Sequence, residues 1–226
     1  MRIFTTYHGC VVREVFARCL QSKLAINSQS LKSHSSESGK STVVDLIGLE
    51  KQFLSAHIKE GGTVIDFTMG NGHDTAWLSK AVGESGKVYA FDIQEKALES
   101  TRNTLKSENC PDNCTLICDS HSNVRNYVNE KICAGVFNLG YLPGSGNKAL
   151  TTMRPTTKIA VEEAISLLDD DGIILIAVYP GHEEGRLEGE MLEEMLSHYD
   201  RKKICVSKFC LVNSPTSPFF FAIESK

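Results

Sequence analysis

The stretch from Thr63 to Asp74 constrains the fold of this 226-residue chain more than any other. Thr63-Val64-Ile65-Asp66-Phe67 is short, rich in β-branched residues and apolar on both faces, the pattern of a central strand in a parallel sheet covered by helices on each side. It runs directly into Thr68-Met69-Gly70-Asn71-Gly72-His73-Asp74, a glycine turn that opens a helix. The alternation then repeats. Strands over 87–91, 115–118, 135–139 and 173–178 are predicted between helices over 94–106, 123–129, 155–168 and 186–199, with an amphipathic helix over 43–58 leading in. Parallel strands with helical crossovers follow. The last two strand-like runs, 203–211 and 219–223, are joined by Asn213-Ser214-Pro215-Thr216-Ser217-Pro218, too short for a parallel crossover, so they pair antiparallel. The expected fold is α/β and Rossmann-like, a seven-stranded, mostly parallel sheet with one antiparallel strand at the C-terminal hairpin.

Charge divides the chain before this domain. Residues 1–42 hold six Lys/Arg against two acids and contain eight serines, whereas residues 43–226 carry a net charge of −8. An Arg- and Ser-rich, acid-poor leader has the composition of an organellar transit peptide. The expected organisation is therefore a transit peptide or disordered extension over 1–42 and a single domain over 43–226, placed in a chloroplast or mitochondrion, or otherwise in the cytoplasm. No stretch approaches the roughly 20 apolar residues of a membrane helix, so no membrane partner is expected. A homo-oligomer is left open. Cys110, Cys114 and Cys118 recur every four residues without paired C-x-x-C knuckles, so no metal site is expected and most cysteines read as core thiols.

The turn Asp66–Asp74 sits where ligands bind an open α/β sheet, at the carboxyl end of a strand. Gly70 and Gly72 let the backbone approach a ligand without a Cβ in the way, and the helix beyond presents free N–H groups. As a dinucleotide fingerprint it is poor, because Thr75 stands where the third glycine belongs. Asp92 ends the next strand, where a carboxylate can accept both ribose hydroxyls of a nucleoside. Asp119-Ser120-His121 follows the strand after that and can reach an adenine amine. Asp66 lies where it can meet the cationic methionine end of S-adenosyl-L-methionine, directly or through water. Together with Thr68 in the turn these residues are the expected cofactor set, Asp74 reading equally as a helix N-cap, and the terminal hairpin favours a methyl donor over a dinucleotide.

On the acceptor side, Phe137-Asn138-Leu139-Gly140-Tyr141 resembles the Asn-Pro-Pro-Tyr type of motif of amino-methyltransferases, with Leu and Gly in place of the two prolines. That resemblance makes the Asn138 side chain an acceptor for a substrate amine and Tyr141 a stacking platform for its base; catalysis is then mostly in-line placement. Tyr179-Pro180-Gly181-His182 adds His182, which is read either as a phosphate ligand or base, or as a loop histidine bonded to nearby backbone. Lys148, Thr151, Thr152, Arg154 and Lys158 flank the expected mouth and are candidate phosphate contacts.

Taken together, Asp66–Thr75, Phe91–Gln94, Phe137–Gly144 and Tyr179–Gly185 resemble the bacterial putative rRNA methylase family of class I S-adenosylmethionine-dependent methyltransferases, over roughly residues 43–226. That family includes a tRNA 5-aminomethyl-2-thiouridine methyltransferase, and the leader makes the chain look like a plant organellar member. The resemblance implies N-methylation of the 5-aminomethyl group of a wobble uridine in the tRNA anticodon loop, giving 5-methylaminomethyl-2-thiouridine. It also places Asn71, Asp74, Asp92, Gln94, Ser120 and His121 in the cofactor pocket. An rRNA methyltransferase and a small-molecule amine N-methyltransferase are the alternatives, the acidic domain favouring the latter.

Overall fold

The computed structural model describes residues 46–140 and 152–226. Tyr141, Lys148 and Thr151, and the whole of the leader, lie outside them. Of the described residues, 46–56 and 57–226 group as two units. Helix α1 (Leu46–His57), all but its last residue in the first unit, matches the helix expected over 43–58.

The second unit alternates as expected. Strand β1 (Thr63–Asp66) is followed by α2 (His73–Val82), β2 (Lys87–Asp92), α3 (Glu95–Ser107) and β3 (Cys114–Cys118). After a 3-10 helix over His121–Asn126 come β4 (Ile132–Asn138), α4 (Arg154–Leu167), β5 (Leu168–Val178), α5 (Glu183–Ser197), β6 (Ile204–Phe209) and β7 (Phe219–Ser225). One seven-stranded sheet results, in the order β3-β2-β1-β4-β5-β7-β6. All neighbours pair parallel except β7, which is antiparallel to β5 and β6. Every residue of β1 and all but the last of β4 are buried, as strands covered on both faces must be.

Three details differ from expectation. The helix expected over 123–129 is a 3-10 helix, started by Ser120, whose Oγ accepts the N–H of Ser122. Strand β5 begins at Leu168 rather than 173: Leu168 pairs with Ile132, the register then shifts, and regular pairing resumes at Ile173 with Ala134, Asp171 at φ 63° lying in the irregular stretch between. The cysteines are not mostly core thiols: of the six described, Cys133 alone is buried, and Cys118 is exposed because β3 is an edge strand. Among the described residues no helix is long and apolar enough to cross a membrane.

Candidate functional site

Strand order reverses between β1 and β4, so the crevice at their carboxyl ends is the topological switch point of the sheet. Parallel register brings the ends into line: Asp66 pairs with Ala90 and Val136, Asp92 with Cys118, Asn138 with Ala177. The acids and the amide singled out at strand ends are thereby gathered on one edge. Beneath them Phe67, Phe91 and Phe137 form a buried ledge, Phe67 stacked on Phe137 at 4.0 Å and on Phe91 at 6.2 Å.

Asp66 is completely buried. Its Oδ1 accepts the N–H of Thr68 at 3.1 Å and its Oδ2 the hydroxyl of Thr75 at 2.6 Å, so it ties the glycine turn to the first turn of α2. Burial, and secondarily the nearby Asp74 charge, pushes its carboxyl up to about 7. The turn is also sewn to α3: Ser100 Oγ donates to Asn71 Oδ1 at 3.0 Å, Thr101 Oγ1 to Gly70 O at 3.2 Å, and Thr104 Oγ1 to Asn71 O at 2.7 Å. Gly72, with φ 81°, is also required by the packing of the turn. A Cβ there would lie 2.8 Å from Thr101 Cα, so this glycine admits the close approach of α3.

Asp92 is held above the usual carboxylate range by burial, against N–H bonds from Gln94 and Gly70. It stays partly exposed, and a carboxylate has about four acceptor sites, which leaves it able to take hydroxyls. Gln94 starts α3 without a side-chain cap. Asp119 uses its oxygens locally at the surface, accepting from Asn123 Nδ2, Ser120 N and Tyr127 OH. His121 is buried and its imidazole is held neutral by that burial. Nδ1 faces Phe67 O at 3.3 Å and therefore carries the proton, so Nε2 is a bare acceptor; it is buried without a hydrogen-bond partner. One candidate was missed: Ile93, beside Asp92, exposes 57% of an apolar side chain that can pack on a flat base.

Asn138 is fixed at both ends. Its N–H donates to Thr68 Oγ1 at 2.7 Å and its Nδ2 to Asp74 Oδ2 at 2.9 Å. The carboxylate oxygen takes an N–H of the amide, so this contact sets the amide orientation and leaves the carboxamide oxygen as an acceptor. His182 caps α5, its Nδ1 accepting the N–H of Gly185 at 3.1 Å. In the neutral ring the proton must then sit on Nε2, which suits a donor to an oxygen anion and not a base; protonation would break the cap. The helix expected from 186 consequently starts at Glu183. Two phosphate candidates are committed elsewhere: Thr152 Oγ1 donates to Glu188, and Arg154 Nε pairs with Glu184 at 3.0 Å. Lys158 is exposed. Glu188, completely buried, was also missed. No group of three or more His, Cys, Asp or Glu among the described residues could hold a metal ion.

The profile of the putative rRNA methylase family matches residues 88–224, and that of the ubiE/COQ5 methyltransferase family matches 31–139. An Arabidopsis thaliana protein named tRNA (mnm(5)s(2)U34)-methyltransferase, chloroplastic, is 38% identical over 202 residues, covering 80% of this chain and 72% of its own. A putative rRNA methylase of Clostridium thermocellum superposes with a TM-score of 0.79 at 39% identity, over 82% of this chain and all of its own. A putative methyltransferase of Streptococcus mutans, solved in complex with SAH, does so with a TM-score of 0.73 at 36% identity over the same shares. With the glycine turn, the strand-end acids and the terminal hairpin in place, the chain belongs to the putative rRNA methylase family.

Proposed function

We propose that this chain is an S-adenosylmethionine-dependent N-methyltransferase acting on the 5-aminomethyl group of a wobble uridine in tRNA, with the product 5-methylaminomethyl-2-thiouridine. The observation that carries the reading is the Asn138 carboxamide at the switch-point end of β4, whose nitrogen is taken by Asp74 so that its oxygen is left to accept. An amine nucleophile needs such an acceptor: the oxygen takes an N–H and leaves the nitrogen lone pair aimed at the methyl group. The acceptor side-chain amine must be neutral. When bound, the cofactor supplies a methyl carbon on a sulfonium; the amine nitrogen bonds to that carbon as the carbon–sulfur bond breaks, and the ammonium product gives its proton to water.

The residues fit the cofactor. Asp92 can accept the ribose hydroxyls, Ile93 pack on the adenine, and the orphaned Nε2 of His121 accept an N–H from it. Asp66 and Asp74 would hold the cationic methionine end of the cofactor, Asp66 giving up its proton to do so. The plant relative's name supports a tRNA acceptor and a chloroplast location, for which the basic, serine-rich leader over 1–42 serves as transit peptide. The family's printed description keeps rRNA as the second reading. Incubation with methyl-labelled cofactor, hypomodified tRNA and rRNA decides between them: label is expected in tRNA, at the wobble nucleoside by mass spectrometry. Label in rRNA, or only in free amines, overturns the tRNA assignment.

Asp66 makes the cofactor step pH-dependent. Its native pKa of about 7 lies above the ordinary 3.8, so the free protein holds a proton here that the unfolded chain has released. Stability from this group is therefore full below about pH 4 and is lost as pH rises to about 7. A cationic ligand favours the ionised form, so its binding expels the proton. Affinity for S-adenosylmethionine is expected to rise with pH by up to about tenfold per unit below 7 and to level off above, with proton release detectable by calorimetry in two buffers near pH 6. Asp66→Asn should flatten the slope; a flat wild-type profile refutes the linkage.

A further inference from the structure

Helix α5 carries a carboxylate that neither the cofactor nor the acceptor chemistry uses. Glu188 is completely buried, and a carboxylate withdrawn from water survives only where hydrogen bonds replace hydration. Both oxygens are claimed by threonines: Oε1 accepts from Thr157 Oγ1 of α4 at 2.6 Å and Oε2 from Thr152 Oγ1 at 2.7 Å. Burial raises its pKa and the two hydroxyls oppose that shift.

Thr152 passes the connection on. Its Oγ1, having donated to Glu188, accepts the N–H of Gly140 at 3.0 Å, while its own N–H donates back to Gly140 O at 3.0 Å. A hydroxyl that donates to a carboxylate is polarised and becomes a better acceptor. Gly140 has φ 146°, in a region open mainly to glycine, and a Cβ there would meet nothing. The reciprocal pair with Thr152 holds this residue, one step beyond Leu139, whose N–H donates to Ala177 O at 3.0 Å. Gly140 stands two residues beyond Asn138, whose own N–H is held on the other flank by Thr68 Oγ1, itself adjacent to the Asp66 bonds. The acceptor amide is thus braced from both sides through a threonine to a buried acid.

We infer that Glu188 is a positioning residue for methyl transfer: through Thr152 and Gly140 it holds the exit of β4, and with it the Asn138 carboxamide, in register with the cofactor edge. The inference rests on the acceptor role proposed above for Asn138. A purely architectural brace between α4 and α5 would lower stability and every function alike; a positioning residue lowers turnover selectively.

Thr152→Val keeps the shape and deletes the hydroxyl, whereas Thr152→Ser keeps the hydroxyl. Thr152→Val and Glu188→Gln are expected to lower kcat on tRNA by tenfold to on the order of 10²-fold, with the Kd for S-adenosylmethionine within about twofold of wild type. Thr152→Ser should recover most of the turnover. The double variant Thr152→Val/Glu188→Gln should lose little more than the worse single one, since the two act in one chain. Amide exchange of Gly140, followed by NMR, should quicken at least about tenfold in Thr152→Val while that of Phe67, bonded to Val136 O, is unchanged. Unchanged turnover or unchanged Gly140 exchange in Thr152→Val overturns the inference, as does a loss of cofactor affinity equal to the loss of kcat. If the wild type transfers no methyl group to tRNA, the acceptor reading falls on its own, and Gly140 exchange still decides whether Glu188 holds this exit.

Discussion

Replacing Asn138 by alanine is expected to lower kcat for methyl transfer on the order of 10²-fold while leaving S-adenosylmethionine binding nearly unchanged. The amide has one task the rest of the site cannot take over. In the proposed reaction its oxygen is the acceptor that turns the amine. Its nitrogen is already used, donating to Asp74 at 2.9 Å. Truncation leaves Asp74 without that donor, but Asp74 is partly exposed and water can serve it, so the fold should survive. Thermal unfolding within about 1 kcal/mol of wild type, with turnover lost, is the expected pattern. Asp74→Asn supplies the contrast. An amide at 74 can still accept from Asn138 Nδ2, yet it can also donate to the Asn138 oxygen and stabilise the reversed orientation. A loss smaller than that of Asn138→Ala, and in kcat rather than in Kd, is expected. If Asp74→Asn instead weakens cofactor binding with kcat intact, Asp74 serves the cofactor and does not orient Asn138.

Much of this site could be read along the chain because an open parallel sheet gathers its strand ends. Once Thr63–Phe67 is recognised as a central strand and the alternation continues, Asp66, Asp92 and Asn138 must fall on one edge, whatever the details of packing. The antiparallel pairing of β6 and β7 was equally accessible, since a short Pro-containing link permits nothing else. What depends on contacts across the sequence was not accessible. Asp74 reads as a helix-start acid until Asn138 is seen beside it, 64 positions away. The exposure of Cys118 follows from the edge position of β3, which strand order decides and composition does not. Glu188 is hidden among the many acids of α5, although one signal was available: Gly185, Glu188, Gly189, Leu192 and Leu196 recur at helical spacing and form its buried stripe. An acid on that stripe, and not on the solvated one, is the mark of a buried carboxylate with partners.

Gly72→Ala is the substitution expected to damage the protein most. Two costs add there. At φ 81° an L side chain suffers the left-handed penalty of roughly 1–2 kcal/mol. The new Cβ would also lie 2.8 Å from Thr101 Cα and 2.9 Å from both Thr101 Cγ2 and Oγ1. Two of those atoms belong to a side chain, but Cα is backbone, so α3 itself must move; overpacking of this kind costs typically about 1–3 kcal/mol. A total near 3 kcal/mol corresponds to a fall in Tm of roughly 10 °C for a domain of this size. The consequences reach the ligand edge, because the same three hydroxyls of α3 that hold the turn, on Ser100, Thr101 and Thr104, would be carried away from Asn71 and Gly70. Cofactor affinity should therefore fall together with stability, unlike the response to Asn138→Ala. Adding Thr101→Ala should restore part of the loss by removing Cγ2 and Oγ1, and only part, because the contact with Cα persists. A Gly72→Ala protein of native Tm with weakened cofactor binding would instead mean that this glycine is kept for the approach of the ligand, and that α3 yields to the added methyl group.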